Sequence, residues 1–189
     1  MGAKLHLRFG SMNGGKSTQL LQIAYNYEEG GQTVAIFTAR LDNRTRVGEV
    51  ASRLGVRRPA EVFDADTSFL DWLATAPAPS CLLIDEAQFL NARQVRELHQ
   101  IAALQNIPVM AFAIRTDFQG QAFEGALHLL ALAEDLQEIK AICRCGRKAT
   151  MNMRIDAHGR RVREGAQIEI GGNDRYRQVC ARCFYSADA

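Results

Sequence analysis

Residues Gly10, Ser11, Met12, Asn13, Gly14, Gly15, Lys16 and Ser17 follow the order GxxxxGK[ST] without a mismatch. Glycines let successive backbone N–H groups turn toward one anion without a Cβ clash. A helix that starts where the run ends adds its positive N-terminal end. In this pattern the lysine puts a point charge on the β- and γ-phosphates of a nucleoside triphosphate, and the hydroxyl after it ligates Mg²⁺. Lys16 and Ser17 occupy those positions. The context separates the run from a chance glycine-rich turn: Leu5, Leu7 and Phe9 alternate as in a strand before it, and Leu20, Ile23, Ala24 and Tyr27 recur at helical spacing after it.

A second chemical signal is the apolar run Leu82-Leu83-Ile84 ending in Asp85-Glu86. An acid at the end of an apolar strand can hold Mg²⁺ through water, which suits Asp85. A carboxylate next to the metal, Glu86, could accept the proton of a hydroxyl that attacks the γ-phosphate. Gln88, in the same stretch, is grouped with the nucleotide-facing residues. Two acids at a strand end also open turns and cap helices; the phosphate loop upstream favours the metal reading. Asp85-Glu86-Ala87-Gln88 is close to a helicase box, but 189 residues do not hold two helicase domains. Asp117-Phe118-Gln119-Gly120 matches the DxxG of GTPases, and no NKxD follows to read guanine.

The third signal is four cysteines in two knuckles, Cys143-Arg144-Cys145 and Cys180-Ala181-Arg182-Cys183. Four thiolates suit tetrahedral Zn²⁺, and in a reducing compartment clustered cysteines are more often metal ligands than disulfides. Free buried thiols or a redox pair are the alternatives. Cys81 opens an apolar strand and reads as core.

These groups need elements to hold them. Gly30-Gly31 stops the first helix, and Thr33–Thr38 is a second, β-branched strand. Arg40–Pro59 is polar, broken by Gly48, Gly55 and Pro59, and reads as a mobile loop with at most a helical turn. Phe69, Leu70 and Leu73 suggest a short helix, Cys81–Ile84 a strand, and Asn91 the cap of a helix reaching about Gln105. Pro108–Ile114 is another apolar strand. Strands alternating with helices imply a parallel sheet covered on both faces. Ligands bind beyond the carboxyl ends of such strands, where both Gly10–Ser17 and Asp85-Glu86 fall.

After Ile139 the composition changes. Residues 1–139 carry 12 Lys/Arg and 16 Asp/Glu, whereas 140–189 carry 11 and 5, against a net charge of +2 for the whole chain. We therefore expect a nucleotide-binding domain over 1–139 and a small cysteine-bearing domain over 140–189. The segment from about Met151 to Arg177 is polar and glycine-rich and reads as a long loop pinned by the cysteines, the makings of a lid. The longest apolar stretches are too short to span a bilayer, and no signal peptide opens the chain, so a soluble, cytoplasmic protein without membrane or nucleic-acid partners is expected.

The stretches GSMNGGKST, LIDEAQF, RTDFQGQAF and IGGNDRYRQVC, with the paired knuckles, together resemble the zinc-containing thymidine kinases of bacteria and animals, over Leu5 to Tyr185. The resemblance implies an α/β, RecA-like P-loop sheet flanked by helices with a small zinc-binding lasso domain. It implies Mg-ATP and structural zinc as cofactors, thymidine and deoxyuridine as nucleoside substrates, salvage for DNA synthesis, and a homotetramer. It makes Glu86 the base for the 5′-hydroxyl and gives Arg44, paired with Asp42 on the same loop, a place beside the transferring phosphoryl group. Met12, Asp42, Phe89, Ile114, Phe118 and Phe123 would surround the nucleoside, and Ile170, Gly171 and Tyr176 would belong to the lasso over the base. Cys143, Cys145, Cys180 and Cys183 would hold Zn²⁺, and Ser17 and Asp85 Mg²⁺. Two departures stand out: the first knuckle is C-x-C where many members have C-x₂-C, and Asn152 stands where a small hydroxyl residue is often found near the base. The rival expectations are a nucleic-acid-binding ATPase switch gripping phosphates with the basic tail, and a kinase of another deoxynucleoside.

Overall fold

The computed structural model describes residues 2–41, 47–168 and 175–186. Six strands form one sheet: β1 (Leu5–Phe9), β2 (Val34–Ala39), β5 (Glu61–Phe63), β6 (Cys81–Ile84), β7 (Val109–Ala113) and β8 (Asp135–Glu138). Its order is β5-β2-β6-β7-β1-β8, and every pairing is parallel. A hairpin of β3 (Glu49–Ala51) and β4 (Arg57–Pro59) lies outside it. The helices are α1 (Lys16–Glu29), α2 (Phe69–Thr75), α3 (Ala92–Gln105) and α4 (Glu124–Leu132), with a 3-10 turn over Ala87–Phe89.

Successive side chains on a strand point to opposite faces, and here both faces are packed. Leu82 and Ile84 of β6, Phe37 of β2 and Ala111 of β7 meet Val95, Leu98 and Ile101 of α3, Leu129 of α4 and Phe69 of α2. Cys81 and Leu83, Ile36 and Phe112 meet Leu20, Leu21 and Ala24 of α1. This two-sided burial is why β6 reads as an unbroken apolar run rather than an alternating one. The cap on α3 is the expected one and is reciprocal. Asn91 accepts from the Gln94 N–H at 3.0 Å, and Gln94 Oε1 accepts from the Asn91 N–H at 3.0 Å.

The structure departs from the sequence expectation in three places. Between Arg40 and Pro59 it forms an antiparallel hairpin, turned at Gly55 (φ +88) and braced by Arg57 to Glu49 at 3.0 Å. Arginines and glycines had masked the pairing. β8 is an acidic edge strand, largely exposed, and carries no apolar alternation. It is held to β1 by Asp135, which accepts from His6 at 2.7 Å and from Arg8 at 2.8 Å. Finally, strands occupy both ends of Met151–Arg177. β11 (Met151–Ile155) pairs antiparallel with β12 (Arg161–Val162) and β13 (Tyr176–Val179). β9 (Ala141–Ile142) pairs with β10 (Lys148–Ala149), and α5 (Ala181–Tyr185) follows. Met153, Ile155, Val179 and Phe184 pack a small core of their own with the cysteines. Among the described residues no helix is long and apolar enough to cross a membrane.

Candidate active site

The Gly10–Ser17 loop leaves the carboxyl end of β1 and turns into α1, whose N-cap Gly15 sits at φ 91. That left-handed backbone suits glycine; Asn13, at φ 64, adopts it with a side chain. Lys16 is 7% exposed and its ammonium donates to the Ser11 carbonyl at 2.9 Å. The Ser17 hydroxyl donates to Asp85 Oδ2 at 2.9 Å, joining the phosphate loop to the end of β6. Asp85 and Glu86 are both buried. Burial, then the neighbouring Glu86 carboxylate, pushes the Asp85 carboxyl well above the usual carboxylate range, against the Ser17 hydroxyl and the Lys16 ammonium. Asp85 Oδ1 is buried with no hydrogen-bond partner among the described residues. A carboxylate with an orphaned oxygen beside a serine hydroxyl is a donor set that fits a hard cation such as Mg²⁺.

Glu86 sits at φ 51, a strained conformation for a glutamate, and accepts from Gln88 Nε2. Gln88 in turn accepts from the Ile114 N–H at 3.2 Å, tying the carboxylate to the end of β7. The expected apolar group gathers around this point. Ile114, Phe123 and Ala126 cluster with Met12 and Phe89, and the Phe89 and Phe123 rings meet edge to face at 5.8 Å.

A single cavity of about 890 Å³ joins the two halves. Lys16, Ser17 and Asp85 lie on its wall, as do Glu86, Phe89, Phe118, Phe123 and Tyr176. Met12, Asn13, Gly15, Gln88 and Ile114 line it as well; Gly10, Ser11 and Gly14 shape the loop behind. Asp42, Arg44, Ile170 and Gly171 lie outside the described residues.

The structure also brings in Arg53 and Arg154, which sequence patterns had not singled out, and gives Asn152 its partner. Arg53, in the β3–β4 turn, donates to Asn13 Oδ1 and lines the cavity beside the phosphate loop. Its only prior signal was its place among the four arginines of Arg40–Arg53. Asn152 clamps Met12, and Arg154 holds Tyr176. Several cations of the basic tail are engaged within the fold: Lys148 with Glu138, Arg160 with Asp156, and Arg161 with the Phe184 carbonyl and ring.

The four knuckle cysteines converge, the first knuckle included. The sulfurs of Cys143, Cys145, Cys180 and Cys183 lie within 4.8 Å of one another, two pairs at 3.5 Å. Tetrahedral Zn²⁺ with Zn–S near 2.3 Å places sulfurs roughly 3.8 Å apart, so the donor set fits that ion. The Arg147 N–H, then the Cys143 and Cys180 thiols, pull the Cys145 thiol down to about 6. Cys81 is the expected core residue, its thiol pushed up to about 11 by burial.

The thymidine kinase family profile matches residues 3–184. A thymidine kinase of Chromobacterium violaceum is 55% identical over 185 residues, covering 97% of this chain and 98% of its own length. Those of Agrobacterium fabrum and Vibrio vulnificus are 50% and 45% identical and cover at least 95% of both chains. A phosphate loop and an aromatic slot opening into one cleft thus occur in a chain that belongs to the thymidine kinase family.

Proposed function

We propose that this protein transfers the γ-phosphoryl group of ATP to the 5′-hydroxyl of thymidine, and of deoxyuridine. The observation that carries the reading is the shared cleft, with Lys16, Ser17 and Asp85 on the same wall system as Phe89, Phe118, Phe123 and Tyr176. An apolar, aromatic slot suits a flat base bearing a C5-methyl.

ATP binds with its phosphates on the amides of Gly10–Ser17 and the Lys16 ammonium. Ser17 and Asp85 would hold Mg²⁺, which neutralises phosphate charge and orients the triphosphate. The aromatic slot and Tyr176 orient the nucleoside. Glu86 takes the 5′-hydroxyl proton as that oxygen attacks the γ-phosphorus in line; its hydrogen bond from Gln88 fixes the carboxylate for the task. Lys16 and Arg44 offset the charge that spreads over the transferring group, with Asp42 as the loop partner of Arg44. Ile170 and Gly171 close over the base with Tyr176. Cys143, Cys145, Cys180 and Cys183 would hold a structural Zn²⁺, which would pin the β9–β10 turn to α5. In this division residues 1–139 bind nucleotide and 140–189 form the zinc-clipped part. A cytoplasmic homotetramer is the state we assign; Leu127 and Leu130 of α4, 55% and 38% exposed, offer apolar surface to a second copy.

The test is a coupled assay with Mg-ATP and a panel of nucleosides. Thymidine is expected to be phosphorylated, and Lys16→Ala to abolish the turnover. A parent protein that leaves thymidine untouched, or a Lys16→Ala variant as active as the parent, would sink the reading.

A further inference from the structure

Arg154 lies on β11 and is only 3% exposed. Its guanidinium carbon stands 3.8 Å from the centroid of the Phe118 ring and 5.3 Å from that of Tyr176. Nε and Nη2 both donate to the Tyr176 hydroxyl oxygen, at 3.1 and 2.8 Å, and Nη2 also donates to the Ala166 carbonyl at 3.0 Å. Burying a guanidinium is costly unless its donors and its charge are matched. Here a phenol oxygen, a carbonyl and the face of a ring match them.

Phe118 and Tyr176 line the cavity, whereas Arg154 stands behind them. The two rings come from distant segments, the loop after β7 and strand β13, and Arg154 touches both. Residues two apart on a strand share a face, so β11 directs Asn152 toward the phosphate loop and Arg154 toward the rings. A planar guanidinium stacked on one ring and forked onto the hydroxyl of the other fixes their separation and tilt. A lysine cannot do both, because its ammonium is a point charge without a stacking plane.

We propose that Arg154 is a positioning residue for the nucleoside, holding Phe118 and Tyr176 as a preformed slot for a flat pyrimidine. The inference rests on the thymidine kinase reading and adds to it a group that acts through the two rings without touching the base. It predicts a defect concentrated on the nucleoside side of the cleft, since Arg154 holds Phe118 and Tyr176, whereas Lys16, Ser17 and Asp85 form the phosphate side.

The test compares Arg154→Gln, Arg154→Lys and Tyr176→Phe with the parent in steady-state kinetics and thermal melting. Both Arg154 variants are expected to raise KM for thymidine about tenfold, with KM for ATP within about twofold of the parent. Lysine is expected to restore little. In a double-mutant cycle, Arg154→Gln and Tyr176→Phe are expected to be less than additive in KM for thymidine. If Arg154→Gln does not fold, Arg154→Lys and Tyr176→Phe decide. Unchanged KM for thymidine in Arg154→Lys, or equal rises in both KM values, overturns the positioning role while the parent's activity leaves the kinase reading intact. A parent that does not phosphorylate thymidine overturns both.

Discussion

Asn152 grips Met12: its side-chain oxygen accepts the Met12 backbone N–H at 2.7 Å, while its amide nitrogen donates to the Thr116 carbonyl at 2.9 Å. One buried carboxamide thereby fastens β11 to the phosphate loop and to the loop after β7. A hydroxyl at this position would be too short to make both bonds at once. Asn152→Ala leaves a half-buried N–H and a half-buried carbonyl without their side-chain partner, which costs about 2 kcal/mol. A melting temperature lower by about 4–8 °C is expected in calorimetry, with KM for ATP raised because the phosphate loop loses a brace. An unshifted melt would show that water replaces the side chain.

Glu86→Gln keeps the shape and a hydrogen-bonding amide beside Gln88 but cannot take a proton. We expect kcat to fall about 10²–10³-fold with thymidine binding preserved. Rapid-quench measurement of the phosphoryl-transfer step would check this. A near-normal chemical rate removes Glu86 from the base role.

Gly125, in the first turn of α4, has its Cα pressed against the turn that follows β6. A Cβ there would stand 2.6 Å from the Ala87 carbonyl oxygen, 2.7 Å from that of Leu90 and 2.9 Å from that of Gln88. All three are backbone atoms and cannot swing aside. Gly125→Ala should displace the turn bearing Gln88 and Phe89, lowering stability by about 1–3 kcal/mol and disturbing the cleft. A variant that melts with the parent would mean that α4 shifts as a unit without consequence.

Asp135 ties β8 to β1, and the His6 ring first, then the Arg8 guanidinium, hold its carboxyl below the ordinary 3.8. A depressed carboxyl adds stability at pH values above its unfolded value and loses it as pH falls through the folded one. The carboxylate is 42% exposed, so solvent weakens the pair to under about 1 kcal/mol. Asp135→Asn should melt about 2 °C below the parent at neutral pH, and the difference should close as pH drops below 3.8. A gap that persists in acid would assign the effect to lost hydrogen-bond geometry instead of charge.

Purified protein should contain about one zinc per chain, as expected of a single four-thiolate site. Stripping it with a chelator should remove hydrogen-exchange protection from β9 to β13 while β1, β6 and β7 stay protected. Zinc-free protein with unchanged protection in β11 and β13 would refute a structural ion.

Local patterns in the sequence pointed to elements whose signal is local. The phosphate loop and α1 announce themselves through glycines and helical spacing, β6 and β7 through apolar runs, and α3 through Asn91. The cysteine cluster was legible because thiols are few. β8 was not, since an edge strand that pairs on one side needs no apolar alternation and Asp135–Glu138 has none. Nor were Arg154 and the partners of Asn152, a position the sequence had flagged only as near the base: the residues these two hold lie up to 140 residues away in the chain, at Met12, Thr116, Phe118 and Tyr176. Such pairings depend on how the antiparallel strands dock, and no spacing rule reports that.

The cleft is assembled from segments far apart in the chain, which gives its making a timetable. Lys16 and Ser17 leave the ribosome well before Tyr176, Cys180 and Cys183. At ordinary rates of synthesis that interval is roughly 10–30 seconds. Throughout it the nascent polypeptide owns a phosphate loop but neither Tyr176 nor the second pair of thiols, so the four-cysteine cluster closes only after the phosphate loop has been made.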